Sequence, residues 1–399
     1  MARAGGNKGI PHLFSLVIAS GLAAVVLFAG RTAAVHLERS TVPSTAPELF
    51  RLKNQGLAFQ RAAVGAPNVL PLYGTSELIT PSIPERASLF FRSAPTGFQV
   101  SPVGGAGANL LVMLQKVGAL GSDLRGKKLV ISLSPGWFLK VKSGKKGYEA
   151  NFSPMEASKM IFDTALNFEL KRDIASRMLK CPSTLEGRPL LRFAVRRLAS
   201  GGWLDRIVFY ALWPAGKLQN ILLALQDHFA AINYIRDQIK PAPRAHPQVL
   251  DWSKLIAKAS ETKSPDAGNV KEALTFDAPV VWGSRDTAFR INMNASPGWK
   301  DLELLLRTLA RVHARALLLS MPISGNFYDH ADISRSARED YYTKLRALVQ
   351  RYHFPLVEFK GGDEDPAFLV RHESHLSAKG WMYYNRALDD FFHGRMPRS

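Results

Sequence analysis

The chain has 399 residues, 46% hydrophobic and only 21% charged, enough apolar material to bury a large core in one big α/β domain or two smaller ones, which excludes a disordered protein. Its 52 Lys and Arg against 33 Asp and Glu give a net charge of +19, which favours anionic partners such as phospholipid head groups or phosphate-rich polymers. Nucleic acid is set aside, because the chain has no run of five or more basic residues, no zinc-finger spacing and no aromatic RNA-binding signature. The single cysteine, Cys181, excludes an intramolecular disulfide, and with Lys180 and Pro182 beside it no neighbour supplies a base, so it reads as a buried, inert thiol.

In chain order, a tail (residues 1–10) precedes an uncharged apolar stretch over residues 11–30. At ~1.5 Å per residue this stretch crosses a ~30 Å hydrocarbon core. It is longer than the ~7–15 apolar residues of a signal peptide, and the cleavage site around Thr32, Ala33 and Ala34 is weak, so an uncleaved transmembrane anchor is predicted. Arg3 and Lys8 precede it while Arg31, Glu38 and Arg39 follow, an asymmetry too slight to set orientation alone. Residues 31–66 read as a linker (40–47, STVPSTAP) and an amphipathic lead-in, and residues 67–395 as the globular body.

Three segments, 68–78, 128–138 and 314–329, share one pattern: a near-continuous apolar run and then a loop of small or special residues. Such runs predict buried parallel strands, and in open α/β sheets chemistry collects at their carboxyl ends. A helix-rich insertion is expected around residues 153–275. Its clearest helix starts at Ser153-Pro154-Met155-Glu156, where Ser caps, Pro suits the first turn and Glu closes a capping box. Phe162, Leu166 and Leu170 then continue an apolar face towards Met178. In residues 203–239 the spacing of Ile207, Phe209, Leu212, Leu222, Phe229 and Ile235 suits helices packed on a core, and leaves open one face lying on a membrane surface. Asp205, Arg206, Pro214, Asp227 and His228 interrupt the block too often for a second span. Residues 260–273 read as a surface loop.

Ser76, in Gly74-Thr75-Ser76-Glu77-Leu78, is the candidate nucleophile: a small-residue turn directly after a strand exposes an Oγ and presents backbone N–H groups, those of Gly74 and Thr75 included, to an oxyanion. His375, in a loop entering a helix that begins near Gly380-Trp381, is the candidate base. The loops Ser134-Pro135-Gly136-Trp137-Phe138 and Pro322-Ile323-Ser324-Gly325-Asn326-Phe327-Tyr328-Asp329 offer oxyanion or substrate contacts through Gly136, Trp137, Gly325 and Asn326. No metal site is read, since His372 and His375 lack an evident third ligand, and no cofactor is implied.

Taken together and in order, six pieces of this chain resemble the DltD family, the D-alanyl transfer proteins of lipoteichoic acid biosynthesis. They are residues 74–78, residues 134–138, Phe152-Ser153-Pro154, Ser296-Pro297-Gly298-Trp299-Lys300-Asp301-Leu302, residues 322–329 and residues 375–381, and they span almost the whole chain. The resemblance implies a three-layer α/β/α domain of the SGNH-hydrolase type with a mainly parallel sheet, helical insertions and an N-terminal transmembrane helix. It assigns Ser76 as nucleophile and His375 as general base, on a single-pass protein of the cytoplasmic membrane whose globular domain is extracytoplasmic, periplasmic in a Gram-negative cell. Its implied partners are a membrane-bound O-acyltransferase, an acyl carrier protein and an anionic envelope polymer or polysaccharide.

Two departures from the family pattern bear on mechanism. Three positions before His375 the family has Asp and this chain has His372, and Gly136 replaces a residue that is usually polar. Glu373 is the candidate orienting acid, with Asp363, Glu364 and Asp365 upstream; a Ser-His dyad and His372 as a neutral acceptor stay open. The expected activity is transfer of a small acyl group, D-alanyl by the resemblance, to hydroxyls of an envelope polymer. The same chemistry with water as acceptor makes an esterase or thioesterase, and an inactive site makes a binding module for a polymer or for the O-acyltransferase. In a relative without teichoic acid the acceptor becomes lipopolysaccharide or an exopolysaccharide such as cellulose.

Overall fold

A computed structural model describes residues 10–80, 82–139, 143–241, 246–261, 285–329, 331–371 and 375–397. Strands β1 (Val69–Gly74), β2 (Gln99–Gly104), β3 (Lys128–Leu133), β4 (Arg315–Ser320) and β5 (Leu356–Glu358) form one sheet in the order β2-β1-β3-β4-β5, every pairing parallel. Because successive side chains of a strand point to opposite faces, each strand feeds two cores. Leu70, Leu72, Val100, Val130 and Leu317 enter one, and Tyr73, Val103, Leu129, Ile131 and Leu318 the other. The first core is closed by helices that include Ala87–Ser93 and Ala378–Phe392, the second by helices that include Leu110–Leu120, Pro154–Phe162 and Gly298–Arg311. The expected α/β architecture with a mainly parallel sheet is the architecture observed.

The three apolar runs are β1, β3 and β4. The sheet's outer strands were not signalled: β2 carries Ser101-Pro102, tolerable because it lies at an edge, and β5 is only three residues long.

Ser153 caps its helix, accepting from the N–H of Glu156 at 3.3 Å. The apolar face beyond it is divided between two helices. Asp163 turns extended and accepts from Ala165 N–H (2.7 Å), and Asn167 then caps the helix Phe168–Met178, so Leu166 is buried in the connection. Cys181 is buried, and burial pushes its thiol up.

The segment read as a linker is packed: Val42–Thr45 is a short helix, and Val42, Thr45 and Ala46 are buried. The buried Lys53 ammonium bolts it down by donating to the carbonyls of Ala46 (2.6 Å) and Glu48 (2.8 Å), and desolvation lowers its pKa to about 7. Deeper in, Lys116 and Glu156 form a fully enclosed ion pair at 3.1 Å. Gln60 (2.9 Å) and Gln115 (3.2 Å) complete the carboxylate's bonding.

The N-terminal helix, Ile10–Ser40, exposes Leu13, Phe14, Val17, Val25 and Phe28, and is long and apolar enough to cross a membrane. Its end is fixed to the body by Glu38, 2.6 Å from Nδ1 of the buried His228. Residues 203–238 form one helix, Trp203–Gln238, continuous through Pro214. Phe209, Gly216 and Ala231 on its inner face are buried, while Trp203, Leu204, Ile207, Leu218, Ile221 and Phe229 are exposed. Core packing thus accounts for only one side of this block. Asp227, an interruption in the sequence, is a buried contact that accepts from the N–H groups of Leu57 (2.8 Å) and Ala58 (2.7 Å), at the start of the helix Ala58–Gly65. Of the predicted loop at 260–273, residues 262–273 lie outside the described residues.

Candidate active site

In a parallel sheet ordered β2-β1-β3, strand order reverses at β1, with β2 added on one side and β3 on the other, and the crevice at the carboxyl ends of β1 and β3 is where open α/β sheets place ligands. Ser76 and the loop 134–138 both emerge there, with the loop 322–329 following the next strand, β4.

Ser76 opens the 3-10 turn Ser76–Leu78 immediately after β1 and is half-buried. The turn is tight because Glu77 folds back under the strand end: its Oε1 accepts from the N–H of Thr75 at 3.0 Å. A Cβ on Gly74 would stand 2.3 Å from that oxygen and 3.0 Å from Leu78 Cγ, so glycine there leaves the Glu77 carboxyl room to fold back. Glu77 is fully buried, and desolvation, only partly offset by the Thr75 bond, raises its pKa to about 7. Its carboxyl faces the buried hydroxyls of Ser132 on β3 and Tyr384 on the C-terminal helix. In its protonated form the carboxyl can donate as well as accept. Nothing in the sequence around Glu77 marks it for this buried position.

His375 begins strand β7 (His375–Leu376), which pairs antiparallel with β6 (Leu369–Arg371), Arg371 lying opposite His375. It is half-buried, and β7 packs directly against the 3-10 turn of Ser76, so elements separated by some three hundred residues of chain meet at one place. The start of the C-terminal helix holds it there. Ser377 caps the helix Ala378–Phe392 through Gly380 N–H (3.1 Å) and bonds to the Ala367 carbonyl, while Lys379 pairs with Asp365 at 2.7 Å.

His372 and Glu373, the position of the departure and the candidate orienting acid, lie outside the described residues. The upstream carboxylates have other work. Glu364 pairs with Arg335 (3.0 Å) and Asp365 with Lys379. Asp363 accepts from Tyr342 OH (2.6 Å) and Ile323 N–H (2.9 Å), and its desolvated carboxyl is raised to about 7.

Among the proposed oxyanion and substrate contacts, several hydrogen-bonding groups are already engaged. The Thr75 N–H is held by Glu77, the indole N–H of Trp137 donates to the Ala108 carbonyl (3.0 Å), and the Gly325 N–H donates to the Asp363 carbonyl (2.7 Å). Gly136 opens the short helix Gly136–Leu139, and Asn326 follows Gly325 in the helix Gly325–Asp329. Trp137 is backed by the motif at residues 296–302. Ser296 Oγ donates to its carbonyl at 3.2 Å, and Gly298 approaches so closely that a Cβ would stand 2.4 Å from the same oxygen. Two motifs far apart in sequence therefore interlock behind the crevice.

A sequence profile of the DltD protein family matches residues 46–393. Individual relatives agree. The chain is 26% identical over 364 residues to Protein DltD of Bacillus subtilis, covering 87% of each chain. It is 24% identical over 327 residues to Protein DltD of Staphylococcus aureus (80% of this chain, 79% of the relative), and 22% identical over 395 residues to that of Lacticaseibacillus rhamnosus (96% and 89%).

Proposed function

Since the chain belongs to the DltD protein family, we propose that it is a membrane-anchored, extracytoplasmic serine acyltransferase that passes a D-alanyl group to hydroxyls of a cell-envelope polymer. The observation that carries the reading is the half-buried Ser76 at the β1/β3 crevice with the His375 strand packed on its turn.

In this reading Ser76 Oγ attacks the carbonyl carbon of an activated D-alanyl ester or thioester while His375 takes the hydroxyl proton. The tetrahedral intermediate collapses, the C–O or C–S bond to the donor breaks, and His375 returns the proton to the leaving group. An acceptor hydroxyl then attacks the acyl-enzyme, again losing its proton to His375, and Ser76 leaves and recovers it. Water in place of the acceptor gives hydrolysis, so exclusion of water from the crevice sets the outcome. The N-terminal helix anchors the protein, with the body on the outer side beside a membrane-bound O-acyltransferase that supplies the acyl group.

The test is fluorophosphonate labelling of the full-length protein in detergent, read by intact mass and peptide mapping. A single adduct on Ser76, absent in Ser76→Ala and strongly slowed in His375→Ala, is expected. A folded wild-type protein that takes no label overturns the covalent mechanism and favours a binding role for the same module.

A further inference from the structure

A cavity of about 940 Å³ opens between the helices Ile10–Ser40, Ala58–Gly65 and Trp203–Gln238, away from the β1/β3 crevice. One part of its wall is apolar: Leu27 and Phe28, near the end of the uncharged stretch, with Ile221 and Leu225 contributed by the long helix. Elsewhere the lining is charged. Each of its three carboxylates has a partner: Asp123 is ion-paired with Arg61 (2.9 Å), Asp163 with Lys159 (2.9 Å), and Glu38 lies within hydrogen-bond distance of His228 Nδ1 (2.6 Å). Arg31, Arg39, Lys127 and Lys217 also line the cavity, and among the described residues none has a carboxylate within ion-pair distance.

The cations crowd one another. Burial and the Lys159 ammonium both depress Lys217, whose Nζ is held 4.7 Å from the centre of the Trp213 ring. The Asp163 carboxylate offsets part of this, and the remaining repulsion between like charges in a partly enclosed space is relieved when an anion enters. Arg31 directly follows the uncharged stretch, so on the proposed anchoring it stands at the boundary between hydrocarbon and head groups, with Arg39 about 12 Å further along the helix. Phosphates of a bilayer lie at that height, and a soluble anion has no use for an apolar wall. That wall continues outward onto Leu218, Leu222 and Phe229, exposed on the long helix.

We infer that this cavity holds the phosphate head group of an anionic lipid, whose acyl chains lie along Leu27, Phe28 and the exposed face of the helix Trp203–Gln238. The inference rests on the proposed membrane anchoring and is independent of the acyl-transfer chemistry.

The experiment offers the full-length protein in non-ionic detergent equal amounts of phosphatidylglycerol and phosphatidylcholine, with glycerol 1-phosphate as the soluble phosphate, and counts retained adducts by native mass spectrometry. Phosphatidylglycerol should be retained in preference by about tenfold, and Arg31→Gln and Lys217→Gln should each reduce that preference by about fivefold, the weight of one cation near a charged surface. Lys217→Arg should keep it, which separates lost charge from lost fold. Equal retention of the two lipids, a preference untouched by both Gln variants, or displacement of phosphatidylglycerol by equimolar glycerol 1-phosphate would each overturn the assignment. Flotation of the wild-type protein with phosphatidylcholine vesicles reports on the anchor separately, and fluorophosphonate labelling of the same samples on the proposed chemistry.

Discussion

Replacing Glu77 by Gln removes a titrating group while keeping its shape and its acceptor for the Thr75 N–H. Burial raises the folded-state pKa of Glu77 from 4.5 to about 7. A carboxyl whose pKa is higher in the folded than in the unfolded chain holds its proton more tightly when folded. Its contribution to stability is therefore greatest below the unfolded value and is lost as pH rises towards the folded one, levelling off above about 7. The interval corresponds to about 3 kcal/mol, an upper figure because local relaxation and water entry reduce it. The Gln variant has no such slope, so its stability relative to wild type should improve by about 3 kcal/mol between pH 4 and pH 8. Lys53 and Asp363 also titrate, but they are present in both proteins and cancel in the difference. Urea unfolding of the full-length chain in detergent, followed by tryptophan fluorescence across that range, measures the offset. An offset that stays constant with pH to within about 1 kcal/mol would refute the claim that the buried acid beneath the Ser76 turn is neutral at low pH and strained when charged.

Other substitutions test the remaining contacts. Gly74→Ala drives a methyl into the Glu77 carboxyl and should cost about 1–3 kcal/mol in unfolding assays while abolishing fluorophosphonate reaction at Ser76; normal labelling would show that the turn tolerates a side chain. Lys116→Met leaves the enclosed Glu156 without its cation and should destabilise by about 3–5 kcal/mol, whereas the double change with Glu156→Gln should recover much of the loss in the same denaturation measurement. Asp363→Asn weakens the bonds to Tyr342 and Ile323 that hold the loop after β4; a cost of about 1–3 kcal/mol is expected, with hydrogen exchange accelerating over residues 322–329 rather than across the sheet.

The strands that carry the site were legible because a fully buried parallel strand must be apolar on both faces, as the runs ending at Gly74, Leu133 and Ser320 are. Strand β2, with Ser101 and Pro102, owes its state to pairing with β1, information that lies outside its own residues. Ser76 and His375 could be picked out as candidates from local sequence, one in a small-residue turn and the other ahead of a helix start. Glu77 was not, since nothing in Gly-Thr-Ser-Glu-Leu reveals that the carboxyl doubles back beneath its own strand. Nor could the long helix be divided into inner and outer sides. Apolar residues occur all around it, and only the packing of Phe162 and Phe168 on Phe209, with Phe162 also against Gly216, identifies the buried side.

The helix that starts in the apolar N-terminal stretch does not end where that stretch ends. It runs on unbroken for about ten residues, roughly 15 Å, to Ser40, where Glu38 is bonded to the body. Such a connection behaves as a stiff rod rather than a tether: a flexible linker would let the body sample a broad volume, whereas a rod fixes its height and limits its tilt. Under the proposed topology, encounter is therefore a matter of delivery. On the proposed acyl-transfer chemistry, a donor confined to the bilayer presents its acyl group at one set elevation, and a long, mobile polymer chain supplies the motion that the body gives up.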